Sequence, residues 1–113
     1  MEQQKESEAF ADDTPLVWLL GKPARVRILS VFVDERGYEL NVSEIARQAG
    51  IARSTVYDHI DDFVDVRIVE ETRQSEARQR YRLNEENDIA ELLYKLDGVT
   101  LQALLERDGH LEE

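Results

Sequence analysis

The stretch "NVSEIARQAGIARSTVYDHI", Asn41 to Ile60, reads as two helices joined by a tight turn. Asn41 with Glu44 three residues later is a capping-box pattern: the Asn oxygen accepts from the helix's first turn while the Glu reaches back to the Asn41 amide. Ile45, Ala46 and Ala49 give this first helix its inward face, and Gly50 ends it. The second helix is expected from about Arg53 to Val64, with Val56, Ile60 and Phe63 at i, i+4 and i+7 as its buried stripe. On a wheel of about 100° per residue, Ser54, Tyr57, Asp58 and Asp61 lie opposite that stripe, and Arg53, Ser54 and Thr55 form the first turn.

Downstream, the period changes from helical to alternating. "IVEETR" (Ile68–Arg73) and "RYRL" (Arg80–Leu83) predict two strands, with Tyr81 and Leu83 on one face of the second and Arg80 and Arg82 on the other. "QSEAR", Gln74 to Arg78, connects them without glycine. Arg73, Arg78, Arg80 and Arg82 against Glu76 make residues 73–82 locally +3. A last helix is expected from about Asp88 to Glu106, carrying Ile89, Leu92, Leu93, Leu96, Val99, Leu104 and Leu105, with a possible kink at Asp97-Gly98.

Upstream, Thr14-Pro15 supplies an N-cap and a proline for the first helical position of "LVWLL", which Gly21 stops. Pro23 opens a further helix with Ala24, Ile28, Leu29, Val31 and Phe32 at helical spacing, broken near "DERG", Asp34 to Gly37. Residues 1–13 read as a flexible acidic arm.

This order of elements, from Pro23 to Leu83, resembles the winged helix-turn-helix of small prokaryotic transcription regulators, of the ArsR/MarR-like and haloarchaeal repressor-like groups. "SEIARQAGIARSTVYDHI" is the most specific part of the likeness. The resemblance implies a mainly α fold with a small β-hairpin: a winged helix-turn-helix domain over residues 14–83, flanking N- and C-terminal helices, and residues 84–113 serving dimerisation. It also implies a DNA-binding regulator, more in the manner of a repressor than an activator, since binding alone blocks a promoter. Ser43, Arg53, Ser54, Thr55, Tyr57 and Asp58 would face double-stranded DNA from the helical pair, and Arg73, Arg78 and Arg80 from the hairpin. The first turn of the second helix would meet base edges, its free amides favouring phosphate. Arg53 suits guanine or phosphate, and Asp58 suits cytosine N4.

Two departures stand out. Ala52 occupies the place where such families carry Ser or Thr, which forgoes a cap of about 1 kcal/mol. Asp61, Asp62 and Asp65 make the second half of the helix acidic, so that half is expected to rise out of the groove. Trp18, Leu19, Leu92, Leu93, Leu96, Val99 and Leu104 are the expected dimer contacts, and a two-fold dimer would space its reading helices by about 34 Å over a near-palindromic operator.

Other classes fit poorly. The chain of 113 residues has no cysteine, no HExxH pair, no P-loop, no GxGxxG run and no nucleophile elbow, so an enzyme is not expected, nor is any cofactor or metal. His59, at the edge of the buried stripe, and His110, in the tail, read as packing or solvated residues. No apolar run approaches a membrane span and the N-terminus lacks a signal peptide's pattern, which predicts a cytoplasmic protein with no membrane partner. A small-molecule effector is compatible with the family without being visible in the residues. The alternative is a winged helix used for protein contact alone.

The formal net charge of -11 sits oddly beside a polyanionic partner. Its distribution resolves the conflict: residues 43–82 carry 7 basic and 8 acidic groups, whereas 83–113 carry 2 and 9. Eleven arginines against three lysines, with 25 acidic residues, resemble the proteins of extreme halophiles. Near molar salt the Debye length falls to roughly 3 Å, which screens the self-repulsion of such a surface. DNA binding with cations taken up between carboxylates and phosphates is then expected to show a flattened or positive salt slope, in place of about -0.9 per phosphate contact.

Overall fold

The structure is a computed structural model that describes residues 9–75 and 78–109, without the side chains of Arg73, Gln74, Ser75 and Arg78. After a 3₁₀ turn at Phe10–Asp13 come α1 (Pro15–Leu20), α2 (Pro23–Asp34), β1 (Leu40–Asn41), α3 (Val42–Ala49), α4 (Arg53–Asp65), β2 (Val69–Ser75), β3 (Arg78–Leu83) and α5 (Asp88–Arg107). Residues 1–8, in the expected arm, and His110 lie outside the described residues, as does Glu76.

Local chemistry sets these boundaries. Thr14 Oγ1 accepts from the Val17 amide at 3.3 Å and Pro15 opens α1, as the sequence predicts. Both halves of the capping box form: Glu44 N–H donates to Asn41 Oδ1 at 2.8 Å and Asn41 N–H to Glu44 Oε1 at 2.9 Å. At the far end of α3, Gly50 is left-handed (φ 73°), the Ile51 amide bonds Ala46 O at 3.1 Å, and Arg27 Nη1 donates to Ala49 O at 2.9 Å. The turn between the two helices is thereby fixed from both sides.

The same closing motif ends α4 without a glycine. Ile68 N–H bonds Phe63 O and Arg67 N–H bonds Val64 O, both at 3.0 Å, with Arg67 itself left-handed (φ 67°). Asn84 and Asn87 clamp this turn by donating to Arg67 O at 3.0 Å and Val66 O at 3.2 Å. The left-handed conformation costs a side-chain-bearing residue about 1–2 kcal/mol, partly offset in glycine by its greater unfolded-state entropy. Arg67→Gly is expected to stabilise the protein by about 0.5–1 kcal/mol, read as a higher denaturant midpoint at unchanged slope. A lowered midpoint would contradict this.

Three differences from the sequence reading concern the sheet and α5. The hairpin is longer than expected, β2 running to Ser75 and β3 starting at Arg78, so two residues rather than five separate the strands. A bulge between Glu71 and Arg73 absorbs Thr72 and re-phases the strand. The two-residue β1 adds to the hairpin, giving an antiparallel sheet in the order β1-β3-β2, with Leu40 opposite Tyr81 and Asn41 opposite Arg80. So short a strand has too few residues to show alternation. Finally, α5 extends to Arg107, one residue past its expected end.

The core lies where α2, α3 and α4 meet the inner face of the sheet. Ile28, Phe32, Ile45, Val56, Ile60, Phe63 and Ile68 are fully buried, and Tyr81, Leu83 and Ala90 close the sheet and α5 over them. Burial, then the nearby Glu71, Asp61 and Tyr57, push the Tyr81 phenol up to about 12, so it stays neutral in the core at any ordinary pH.

Candidate nucleic-acid interface

α3 and α4 present their N-terminal ends at one place. Ser43, on the first turn of α3, and Arg53, the first residue of α4, are ten positions apart, and Arg53 Nη1 donates to Ser43 Oγ at 3.2 Å across an exposed surface. A guanidinium and a hydroxyl are thus held together above two helix N-termini, where the helix dipoles favour an anion. Ala52 gives α4 no side-chain cap, so this end keeps its donors for an outside acceptor. Ser54, Tyr57 and Asp58 continue the exposed face, Tyr57 at 59% exposure, while Thr55 is half-buried.

The buried stripe of α4 fixes how this face points. Val56, Ile60 and Phe63 are at most 1% exposed, so rotation about the helix axis is settled by the core and the face opposite is left to solvent. Asp58, Asp61 and Asp65 are exposed along it. Asp62 is not a free charge: its carboxylate pairs with Arg25 of α2.

That pair was missed in the sequence reading. Arg25 is 7% exposed, donates to Trp18 O at 3.2 Å, and lies 4.8 Å from the centroid of the Trp18 ring and 5.2 Å from that of Phe63. Its signal was present, since Arg25 precedes Ile28, Leu29 and Phe32 at helical spacing and so sits on the inward stripe. The arrangement ties α1 and α2 to the back of α4.

The wing arginines divide. Arg80, expected on DNA, is half-buried with Nη1 3.7 Å from Glu44 Oε1, and Arg82 donates through Nε (3.3 Å) and Nη2 (3.2 Å) to Glu70 Oε2. Arg73 lies opposite Arg80, and Arg78 opposite Ser75 at the end of the hairpin; the side chains of Arg73 and Arg78 lie outside the described residues.

Among the described residues no group of side chains could hold a metal ion, and no helix is long and apolar enough to cross a membrane. Residues 20–72 match the family model of a helix-turn-helix domain, a span that covers both helices of the motif and the first wing strand. The chain contains a helix-turn-helix domain and has the winged helix-turn-helix fold. The chain is similar in structure to the homodimeric winged helix-turn-helix DNA-binding domain of Mb0332 from Mycobacterium bovis, described as a possible ArsR-family transcriptional regulator (28% identity over 95% of each chain, TM-score 0.56). It is also similar to Rv0081 of M. tuberculosis (26% identity, 84% of this chain and 98% of that one, TM-score 0.57). The antimony-specific transcriptional repressor AntR shares the fold at 22% identity, over 81% of this chain and 78% of that one (TM-score 0.63). No match was found among curated proteins.

The residues expected at a dimer interface fall into two groups. Leu92, Leu96, Val99 and Leu104 are exposed along α5, whereas Leu19 and Leu93 pack against the chain's own core. Trp18 remains partly exposed, yet its ring sits edge-on to Phe63 at 6.5 Å and beside Arg25, so its main contacts are within the chain. What the sequence could not show is how α5 is tethered: Arg36 lies 3.9 Å from the Tyr94 ring centroid and pairs with Glu91 (3.4 Å) and Glu85 (3.6 Å).

Proposed function

We propose that the protein is a dimeric repressor that binds a near-palindromic operator, with the first turn of α4 in the major groove. The observation that carries this reading is the Ser43–Arg53 hydrogen bond above the uncapped end of α4. It supplies a positioned cation and hydroxyl for a phosphate, with Ser54, Tyr57 and Asp58 next in line for base edges. Arg73 and Arg78 supply the cationic end of the wing. The exposed leucines of α5 form the two-fold contact, as expected of an apolar stripe left uncovered by the described residues. Homodimerisation is stated for the Mb0332 domain, and its likeness over nearly the whole chain supports the same assembly here.

The acidic surface suits a salt-rich cytoplasm, with DNA contact confined to the near-neutral face formed by residues 43–82. Any effector would be a small molecule acting on this dimer. A protein-contact role without DNA has one observation in its favour, the answering of Arg80 and Arg82 by Glu44 and Glu70. The Arg53–Ser43 site, open to solvent and free of carboxylate partners among the described ion pairs, favours DNA.

The test is selection of duplexes from genomic fragments, beginning with the protein's own promoter region, in about 2 M potassium chloride. Enrichment of sites with two half-sites about one helical turn apart is expected. A folded dimer that retains no fragment would contradict the reading and leave the protein-contact role.

A further inference from the structure

We propose that Glu44 limits the affinity of this protein for DNA by holding the Arg80 guanidinium away from a backbone phosphate. The proposal rests on the DNA-binding reading above and concerns one edge of the same surface. Ser43 and Glu44 are neighbours on the first turn of α3, and while Ser43 bonds Arg53, Glu44 faces Arg80 at 3.7 Å. Two cations from different elements, one at the start of α4 and one on β3, therefore converge on consecutive residues of α3. Only one of them is left open.

The Glu44 carboxylate is no chance neighbour. Its Oε1 accepts the Asn41 amide at 2.9 Å as half of the capping box, so its position is set by the helix start before Arg80 is considered. Arg80 is placed just as firmly, because its backbone is the register partner of Asn41 in the β1–β3 pairing. Both side chains are partly buried, with Arg80 25% and Glu44 35% exposed, which reduces screening of their attraction. At 3.7 Å with no close hydrogen bond, the pair is nonetheless weak enough for a phosphodiester to compete. In the wild type the carboxylate both occupies the cation and repels the phosphate. Removing its charge frees Arg80 for one additional phosphate contact per half-site.

Glu44→Gln tests this while keeping the fold, because the glutamine oxygen still accepts the Asn41 amide. The wild type, Glu44→Gln and the double variant Glu44→Gln, Arg80→Ala are compared on one selected operator by phosphate ethylation interference and by binding titration across salt. Glu44→Gln is expected to bind about tenfold tighter. It should show one further interfering phosphate per half-site and a salt slope more negative by about 0.9 for each such contact. The double variant should lose the added phosphate and the added slope. Identical interference patterns for the wild type and Glu44→Gln would overturn the proposal, as would an added phosphate that persists without Arg80, or an Arg80 contact already present in the wild type. Failure of every variant to bind any duplex would instead remove the DNA-binding reading, and this proposal with it.

Discussion

Arg25→Ala is expected to destabilise the protein by about 3 kcal/mol. Arg25 is the one buried charged residue among the described residues, and its removal takes away the donor to Trp18 O, the contacts with the Trp18 and Phe63 rings, and the cation that answers Asp62. Breaking a buried pair by deleting one partner costs roughly 3–5 kcal/mol. The lower end applies because Asp62 is 43% exposed and can be rehydrated. Arg25→Met keeps an apolar stem in the same space and is expected to lose about 1 kcal/mol. Denaturant unfolding at fixed protomer concentration measures both. An alanine variant within about 0.5 kcal/mol of the wild type would show that the guanidinium contributes nothing net.

The second large effect concerns assembly. Leu92, Leu96 and Val99 follow one another at steps of four and three along α5 and are 64%, 55% and 67% exposed in the single chain. Burying one such side chain is worth about 1.5–3 kcal/mol, and a two-fold axis counts each residue twice. Leu96→Glu places a charge in each half of that seam and is expected to weaken the dimer by at least about 100-fold, since desolvating an unpaired carboxylate adds to the lost burial. The helix content should not change, because Leu96 is already exposed in the single chain. Sedimentation equilibrium gives the dissociation constant, and a dimer unchanged by Leu96→Glu would place the interface elsewhere.

How much of this was legible in the residues depended on the range of each interaction. The capping box, Thr14-Pro15, Gly50 and the Val56, Ile60, Phe63 stripe are local signals, each decided within one or two turns, and all were read correctly from the sequence. β1 was not, because two residues carry no period and pair only through Tyr81 and Arg80, some forty positions away. The hairpin is longer than the pattern predicts because its far end, Gln74, Ser75, Arg78 and Gln79, is polar throughout and carries no alternation. Ion pairing was the weakest point. Glu44 was read as a capping residue and Arg80 as a DNA contact, and no linear spacing shows that Asn41 and Arg80 share a register. Trp18, expected at the dimer contact, also meets Arg25 and Phe63 within its own chain, contacts that lie seven and forty-five positions away and leave no local pattern.

The account stands on the first turn of α4, and the most direct measurement is the affinity of Arg53→Ala for the selected operator at constant salt, beside Ser43→Ala. A lost phosphate or base contact of this kind costs about 1–3 kcal/mol, and a two-fold complex loses it twice. Arg53→Ala is therefore expected to bind at least about 30-fold more weakly with its fold and dimer intact, and Ser43→Ala more mildly in the same direction. Operator binding by Arg53→Ala equal to that of the wild type would contradict the placement of α4 in the groove.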